Sequence, residues 1–320
     1  MTISELKSQL KLPVIVSPMF IVSGTRMAAE CCKNGIVGSF PSLNGRHTED
    51  FENMLNEITT ELNQYEKETG KKPAPYAVNL IVNKTNPRLM PDLEKVIKHK
   101  VPIVITSLGA VKEIVDAVHS YGGLIFHDVI KKRHAEKAAE AGVDGIICVS
   151  AGAGGHAGTA HPFALINEIK KFYKGAIVMA GSISTGNEVL AAQIAGADFC
   201  YMGTRFIATE ECLAVPEYKQ MIIDSGIGDI IYTDGVSGVN ANFIVKSIEN
   251  AGVDLGHKKE EDFSKLTGEH AKAWKDIWSA GHGVTEISEV LPVKKLIEKL
   301  ENEYKKGIEK VKTIESGINF

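Results

Sequence analysis

The sequence predicts a (β/α)8 barrel (TIM barrel) with a mostly helical C-terminal extension, and three observations carry that expectation. Over the first two hundred residues a short run rich in Val and Ile recurs eight times. Each run is followed by a turn and then by a helical segment containing Glu, Lys and Ala. The runs are apolar throughout rather than alternating, as strands covered on both faces must be. Three helical segments end in small-residue stops, Ser120-Tyr121-Gly122-Gly123, Ala141-Gly142-Val143-Asp144 and Ala195-Gly196-Ala197-Asp198, where glycine supplies the left-handed cap. A doubly wound open sheet would explain the alternation equally well, but it asks for no particular count of eight.

In chain order the strands are expected at 14–19, 35–40, 76–80, 103–108, 124–129, 145–150, 176–181 and 199–206. Helical periodicity is clearest at 111–120, 132–141 and 187–195. The rhythm changes near Glu210. Residues 215–225 read as helical, 230–233 as a short extended piece and 258–278 as a charged helix, and a final amphipathic helix spans about 287–312. Residues 1–209 are therefore expected to form the barrel. Residues 210–320 would fold back over its C-terminal mouth as part of the same functional unit. The apolar stripe of the last helix (Ile287, Val290, Leu291, Leu296, Ile297, Leu300, Tyr304, Ile308) reads as core, with a homodimer seam as the alternative.

Composition excludes several classes. The 36 Lys+Arg against 40 Asp+Glu give a net charge of −4, which rules out a nucleic-acid binder resting on bulk positive charge. The basic run at Lys305, Lys306, Lys310 and Lys312 is interleaved with Glu301, Glu303 and Glu309 and reads as a solvated helix face. Cys31, Cys32, Cys148, Cys200 and Cys212 are odd in number and show no C-x-x-C spacing. The beginning MTISELKSQL has neither a basic nor an apolar signal region, and no apolar run reaches the 18 or so residues of a membrane span. The expectation is a cytoplasmic protein with reduced thiols and no membrane or nucleic-acid partner.

In such a barrel the chemistry lies at the C-terminal ends of the strands. After strand six comes Gly152-Ala153-Gly154-Gly155-His156-Ala157-Gly158, where four glycines let the backbone approach something closely. The segment also fits a relaxed dinucleotide-binding fingerprint, but no Asp or Glu follows some twenty residues on to hold a ribose. After strands seven and eight come Gly181-Ser182-Ile183-Ser184-Thr185-Gly186 and Met202-Gly203-Thr204-Arg205. Small residues and hydroxyls in two consecutive loops are the usual phosphate cradle of a barrel. Ser17-Pro18-Met19, Asn79, Ser107 and His127-Asp128 end other strands, and Asn79 and Asp128 each need a partner if buried. His156, flanked by glycine at the mouth, is the candidate to bond an anionic substrate or take a proton from a carbon acid. His161, beside Pro162 at a helix start, reads as structural. No H-x-x-x-H, H-E-x-x-H or His/Cys cluster is present, so no metal site is expected, and no G-x-S-x-G elbow marks a serine nucleophile.

Taken together, Pro18-Met19, Gly154-Gly155-His156-Ala157-Gly158, Ala180-Gly181 and Met202-Gly203-Thr204-Arg205-Phe206 resemble the nitronate monooxygenases, formerly 2-nitropropane dioxygenases. Tyr232-Thr233-Asp234, Ser237-Gly238 and Trp278-Ser279-Ala280-Gly281-His282-Gly283 continue the match in order. Flavin-dependent enoyl-acyl-carrier-protein reductases and NAD(P)H:quinone reductases share the core motifs. The resemblance implies a barrel holding non-covalent FMN. Gly181, Ser182, Gly203 and Thr204 would hold its phosphate, and Asn79 and the Pro18-Met19 backbone would line the isoalloxazine. His156 would face the substrate, while Asp128, Ser150, Gly154, Gly155 and Met202 complete the expected cofactor site. The implied reaction oxidises an alkyl nitronate with O2 to a carbonyl compound and nitrite. The alternatives are a flavin reductase passing hydride from NAD(P)H to an enoyl thioester or quinone, and a non-catalytic FMN- or phosphate-binding barrel. The chain departs from many relatives at Val149-Ser150-Ala151-Gly152-Ala153, at His282 and at Val239-Asn240-Ala241, which leaves the substrate open.

Overall fold

The computed structural model describes residues 1–316 apart from 84, 110, 237 and 256–275, so the expected helix at 258–278 and Ser237 of the Ser-Gly segment lie largely or wholly outside the described residues. Eight parallel strands form one sheet in the order β1-β9-β8-β6-β5-β4-β3-β2. They are β1 (Val14–Val16), β2 (Ser39–Pro41), β3 (Ala77–Ile81), β4 (Ile103–Ser107), β5 (Leu124–Val129), β6 (Gly145–Val149), β8 (Ala176–Ala180) and β9 (Phe199–Met202). A parallel bridge between Ile15 and Val37 joins the two edges and closes the barrel. All eight expected strands are present, several of them shorter than the apolar runs. The clearest case is the last, where the chain leaves β9 at Gly203 and turns at once into α9 (Thr204–Ile207).

The continuous apolar runs divide by parity once the strands form, because successive side chains point to opposite faces. Ile15, Ala77, Ile103, Ile105, Phe126, Ile147, Val149, Val178, Ala180, Phe199 and Tyr201 fill the barrel interior. Val14, Val16, Val78, Val104, Ile125, Ile146, Cys148, Met179, Cys200 and Met202 pack outward against the helices. Leu6 of α1 (Ile3–Ser8) joins the inner cluster from the N-terminal end. Asp144 and Asp198, in the turns that enter β6 and β9, tie that end together. Asp144 accepts from Ile125 N (2.8 Å) and Asp198 from Ile177 N (2.8 Å). The five cysteines are buried and free.

The region after β9 is divided between two tasks. The strands β10 (Ile230–Thr233) and β11 (Ala241–Ile244) form an antiparallel hairpin. β11 also pairs with β7 (Gly155–His156), the short strand made by the glycine-rich loop after β6. A 3-10 turn (His282–Glu286) then returns along the same mouth. The final helix, α12 (Val293–Ser316), does not cover the mouth as expected. It packs on the outer wall against α8 (Gly186–Ile194) and α2 (Thr25–Lys33), in the place of the barrel's eighth helix. It begins after Pro292 rather than at 287, with Leu296 N–H donating to the Pro292 carbonyl. Leu296, Ile297 and Leu300 are buried there. No helix among the described residues is long and apolar enough to cross a membrane.

The seam between α8 and α12 depends on Gly186. Its N–H donates to Glu303 (2.9 Å), and a β-carbon there would collide with the Leu300 carbonyl oxygen and lie 2.5 Å from Tyr304 N. Both obstacles are backbone, so the helices themselves must part. Gly186→Ala is expected to cost about 2 kcal/mol or more through overpacking, read as a lower urea midpoint with an unchanged m value.

Candidate functional site

A cavity of about 990 Å³ opens at the C-terminal mouth of the barrel. The C-terminal ends or following loops of all eight barrel strands line it, together with segments of the region after β9. Of the residues expected at the cofactor and substrate site, Pro18, Met19, Asn79, Asp128, Gly154, Gly155, His156, Gly181, Ser182, Gly203 and Thr204 all line it. Two do not. Met202 is 1% exposed and points outward into the barrel–helix core, because parity gives the inward position to Tyr201. Ser150 is fully buried, and its hydroxyl and its N–H both bond the Ala180 carbonyl, splicing β6 to β8 beneath the loops. Arg205 also turns away. Its guanidinium is buried toward the Glu289 carbonyl (3.4 Å), behind the cradle rather than in it.

One wall is backbone. A β-carbon at Gly154 would lie 2.8 Å from Gly281 N and 3.1 Å from Thr204 Oγ1, and one at Gly181 would lie 2.8 Å from both Ala151 O and Ser150 Oγ. Gly181 has a φ of 121° and the next residue, Ser182, a φ of 54°, a left-handed conformation uncommon outside glycine. The segment Gly281–Gly283 closes the wall from outside: Gly281 N–H donates to Thr204 Oγ1 (2.9 Å), His282 N–H to Gly152 O (2.9 Å), and Ser184 Oγ to Gly283 O (2.8 Å). Thr204 begins α9, whose first two N–H groups have no acceptor within the helix, while Phe206 N–H donates to Gly203 O (2.8 Å). Glycines without room for a side chain, two hydroxyls and a helix start form a cradle that fits a phosphate, and the adjoining cavity fits an aromatic ring system. The residues present therefore suit a flavin mononucleotide.

The opposite wall is polar. Asn79 Nδ2 donates to Ile105 O (3.1 Å) and to Ser107 Oγ (2.9 Å), and Ser107 Oγ donates to Asp128 Oδ2 (2.6 Å). Asp128 Oδ1 is buried and has no hydrogen-bond partner among the described residues. Burial disfavours its charged form and pushes the carboxyl up to about 7, against a smaller downward pull from Ser107. Burial acts on His156 in the opposite direction, holding the imidazole down at about 4, so it is neutral at pH 7. His127 is likewise held at about 4 by burial, with Thr106 Oγ1 at 2.8 Å from its Nδ1. His161 caps α7 (Pro162–Lys170), its ring accepting from Phe163 N, which is the structural role its position before Pro162 suggests.

The hairpin holds the histidine loop in place. Ala241 and Asn242 pair with His156 and Gly155, Asn242 Nδ2 donates to Ala153 O (2.6 Å), and Tyr232 OH donates to Ala157 O (2.9 Å). Tyr201, Tyr218, Val236 and Ile277 also line the cavity and were not singled out in the sequence, as do Val239, Asn240 and Ser279, which the sequence marked only within longer segments compared with the family. Tyr201 was hidden in an apolar strand, where only parity marks it as inward. The others lie some distance along the chain from any barrel strand.

A closed eight-stranded barrel whose mouth offers a glycine-walled cradle beside a ring-sized cavity suits a flavin-dependent oxidoreductase, the class to which the family matched by this chain belongs. The family model described as nitronate monooxygenase matches residues 3–303, and the chain belongs to that family. A nitronate monooxygenase of Neurospora crassa is 26% identical over 355 residues, covering 94% of this chain and 91% of that protein. A (3aS,4S,5R,7aS)-5-hydroxy-7a-methyl-1-oxo-octahydro-1H-indene-4-carboxyl-CoA dehydrogenase of Rhodococcus jostii is 25% identical, covering 80% of this chain and 71% of that protein. Among solved structures, FabK from Thermotoga maritima (TM-score 0.77, 23% identity, 98% of each chain) shares the fold. So does the nitroalkane oxidase of Streptomyces ansochromogenes (TM-score 0.79, 22% identity, 96% of this chain and 99% of that one).

A carboxyl whose folded pKa is raised binds its proton more tightly in the native than in the unfolded state. Its contribution is therefore most favourable near pH 4 and is lost as pH rises through about 7. In flavin-free protein, Asp128→Asn should gain stability over the parent as pH rises from 5 to 8, measured as the difference between their melting temperatures. A difference that is flat with pH would show that the carboxyl is not held protonated.

Proposed function

We propose that the protein binds FMN and oxidises alkyl nitronates with O2, giving carbonyl compounds and nitrite. The observation that carries this reading is the backbone-walled cradle opening directly onto the cavity that His156 lines. Gly181, Ser182, Gly203 and Thr204 would hold the phosphate, with Gly154 and Gly155 admitting the cofactor past the histidine loop. Asn79 and the Pro18-Met19 backbone would lie along the isoalloxazine. FMN, once bound there, would supply the electron chemistry of the oxidation. The chain's own part is placement. Neutral His156 presents a donor to the oxygens of a nitro group without adding a charge. Apolar lining from Met19, Ile81, Val149 and Ala180 keeps water from the reacting carbon.

One observation favours a second reading, reduction or oxidation of a thioester carried by coenzyme A or acyl-carrier protein, with NAD(P)H as the electron partner. His134 and Lys137 of α6 (Lys132–Ala141) line the cavity at its rim, beside exposed Lys131, Lys132 and Arg133. Among the described residues only Lys132 of this cluster pairs with a carboxylate, Glu136 at 3.6 Å. Partial burial and the charges of Lys131, Lys137 and Arg133 lower the pKa of His134. A positive rim suits the phosphates of such a carrier. The indene-carboxyl-CoA dehydrogenase relative in Rhodococcus jostii supports the same reading.

The two separate in an anaerobic visible spectrum of the FMN-loaded protein. Bleaching by an alkyl nitronate is expected, with little effect of NAD(P)H. Bleaching by NAD(P)H alone would transfer the conclusion to the thioester reading. His156→Ala should lower nitronate turnover at least about 100-fold while flavin stays bound, and parental turnover in that variant would remove His156 from the substrate.

A further inference from the structure

We propose that Arg205, buried behind the cradle, is the counter-ion of the phosphate that the cradle receives, and that its charge selects a phosphorylated flavin over an unphosphorylated one. Arg205 is then a specificity-determining residue that does not itself line the cavity. The proposal rests on the FMN reading for the ligand, and on this chain's geometry for the group.

The cradle itself carries no charge. Gly181, Ser182, Gly203 and Thr204 offer N–H groups and hydroxyls only, yet a phosphate monoester carries about two negative charges at neutral pH. Moving that charge out of water against neutral groups alone is unfavourable. Among the described residues lining the cavity there is one lysine, Lys137, and no arginine. Lys137 and His134 belong to α6, which follows β5, whereas the cradle is built after β8 and β9. His127 and His156 also line the cavity, but burial favours their neutral forms. The positive charge has to come from elsewhere.

One residue beyond Thr204 the chain buries such a charge and leaves it without a carboxylate. Arg205 is 1% exposed. Its Nη1 makes one long hydrogen bond, to Glu289 O at 3.4 Å, and its Nη2 is buried with no hydrogen-bond partner among the described residues. Glu289 and Glu303 are the acidic side chains whose charges reach it, and both are engaged elsewhere. Glu289 pairs with Lys299 (3.4 Å) and Glu303 accepts from Gly186 N–H (2.9 Å). Arg88 shows how this fold treats an arginine kept for structure. It donates to both oxygens of Asp92 (2.8 and 2.9 Å) and to the Gly45 carbonyl (2.6 Å). A guanidinium does not shed its proton, so the charge of Arg205 stays buried and uncompensated, where an apolar side chain of similar length would fill the space at lower cost.

Its position gives that charge a use. α9 packs against the 3-10 turn His282–Glu286, whose first residues close the cradle wall from outside, and the guanidinium reaches on to Glu289. Thr204 therefore faces the cradle while the next side chain places its cation behind the same wall. In a water-poor interior a unit charge acts across such a wall, whereas between exposed groups solvent and salt would screen it. The rival is His282, whose Nδ1 would lie 3.2 Å from a β-carbon at Gly152. It is half-buried, and a histidine's charge depends on pH while an arginine's does not.

The test titrates flavin-free parent, Arg205→Met and Arg205→Lys with FMN and with riboflavin, following flavin fluorescence. The preference, Kd for riboflavin over Kd for FMN, should fall at least about tenfold in Arg205→Met and be kept in Arg205→Lys. A residue that only supports the fold would weaken both flavins together, so an unchanged preference overturns the proposal. So does an equal fall in Arg205→Lys, which would make shape rather than charge the cause. A parental preference that vanishes at pH 9, where histidines are neutral, assigns the charge to His282 and also overturns it. If Arg205→Met does not fold, salt decides. A parental preference that survives a rise from about 0.05 to about 0.5 M sodium chloride supports a buried charge, and its loss assigns the role to exposed cations at the rim. If the parent binds neither flavin, the FMN reading fails, and inorganic phosphate becomes the probe. A higher melting temperature in phosphate than in chloride of equal ionic strength, absent from Arg205→Met, supports the counter-ion. An equal rise in both proteins, or none, overturns it.

Discussion

The site depends on a contact between two stretches of bare backbone. Gly152–Gly154, after the sixth barrel strand, lies directly against Gly281–Gly283, which the chain delivers more than a hundred residues later. The two are joined by the His282 N–H to Gly152 O bond, and Thr204 Oγ1 holds the second segment by accepting from Gly281 N–H. Side chains at these glycines would hold the segments apart, and the cradle would open. Because the same loop continues into β7 and is paired there with β11, the position of His156 follows from this contact rather than from the barrel strand that precedes it. The fold thus supplies the floor of the site, and the region after β9 supplies its shape.

Within that frame, burial sets the chemistry by acting in opposite senses on two kinds of group. It disfavours charge on both, which makes the histidine a neutral hydrogen-bonding group and the aspartate a proton-holding acid near neutrality. Among the described residues no basic side chain pairs with Asp128, whereas the aspartates that stitch the other end of the barrel each bond one, His119 and Lys7. One residue type stitches strands together at one end of the barrel and lines the cavity at the other, and its partners differ accordingly.

Much of this was legible in the sequence, and the reasons differ by element. The eight strands were visible because buried parallel strands are apolar on both faces, and the glycine and hydroxyl wall of the cavity because those residues recur in two consecutive loops. The choice between inward and outward positions was not visible, since an unbroken apolar run carries no parity. Met202 and Ser150 therefore read as site residues, though one belongs to the outer core and the other to a strand splice, and Tyr201 was passed over. The placement of α12 was hidden for a different reason. An amphipathic helix announces that it packs but not against what, and only the Gly186 seam shows that it closes the barrel wall.

That closure bears on how the molecule is made. The wall between α8 and α2 is filled by a helix that follows β9 by ninety residues, and β1 is held between β2 and β9. A nascent chain that has produced all eight strands still lacks the helix that covers one side of them, and its apolar outer surface there stays open to water. The barrel is therefore expected to reach its native state only after synthesis is nearly complete, with the early βα units waiting on the ribosome as partly formed structure. The segments that shape the site, 230–244 and 281–283, emerge before that helix. The pocket's parts are thus present in the chain before the wall that steadies them.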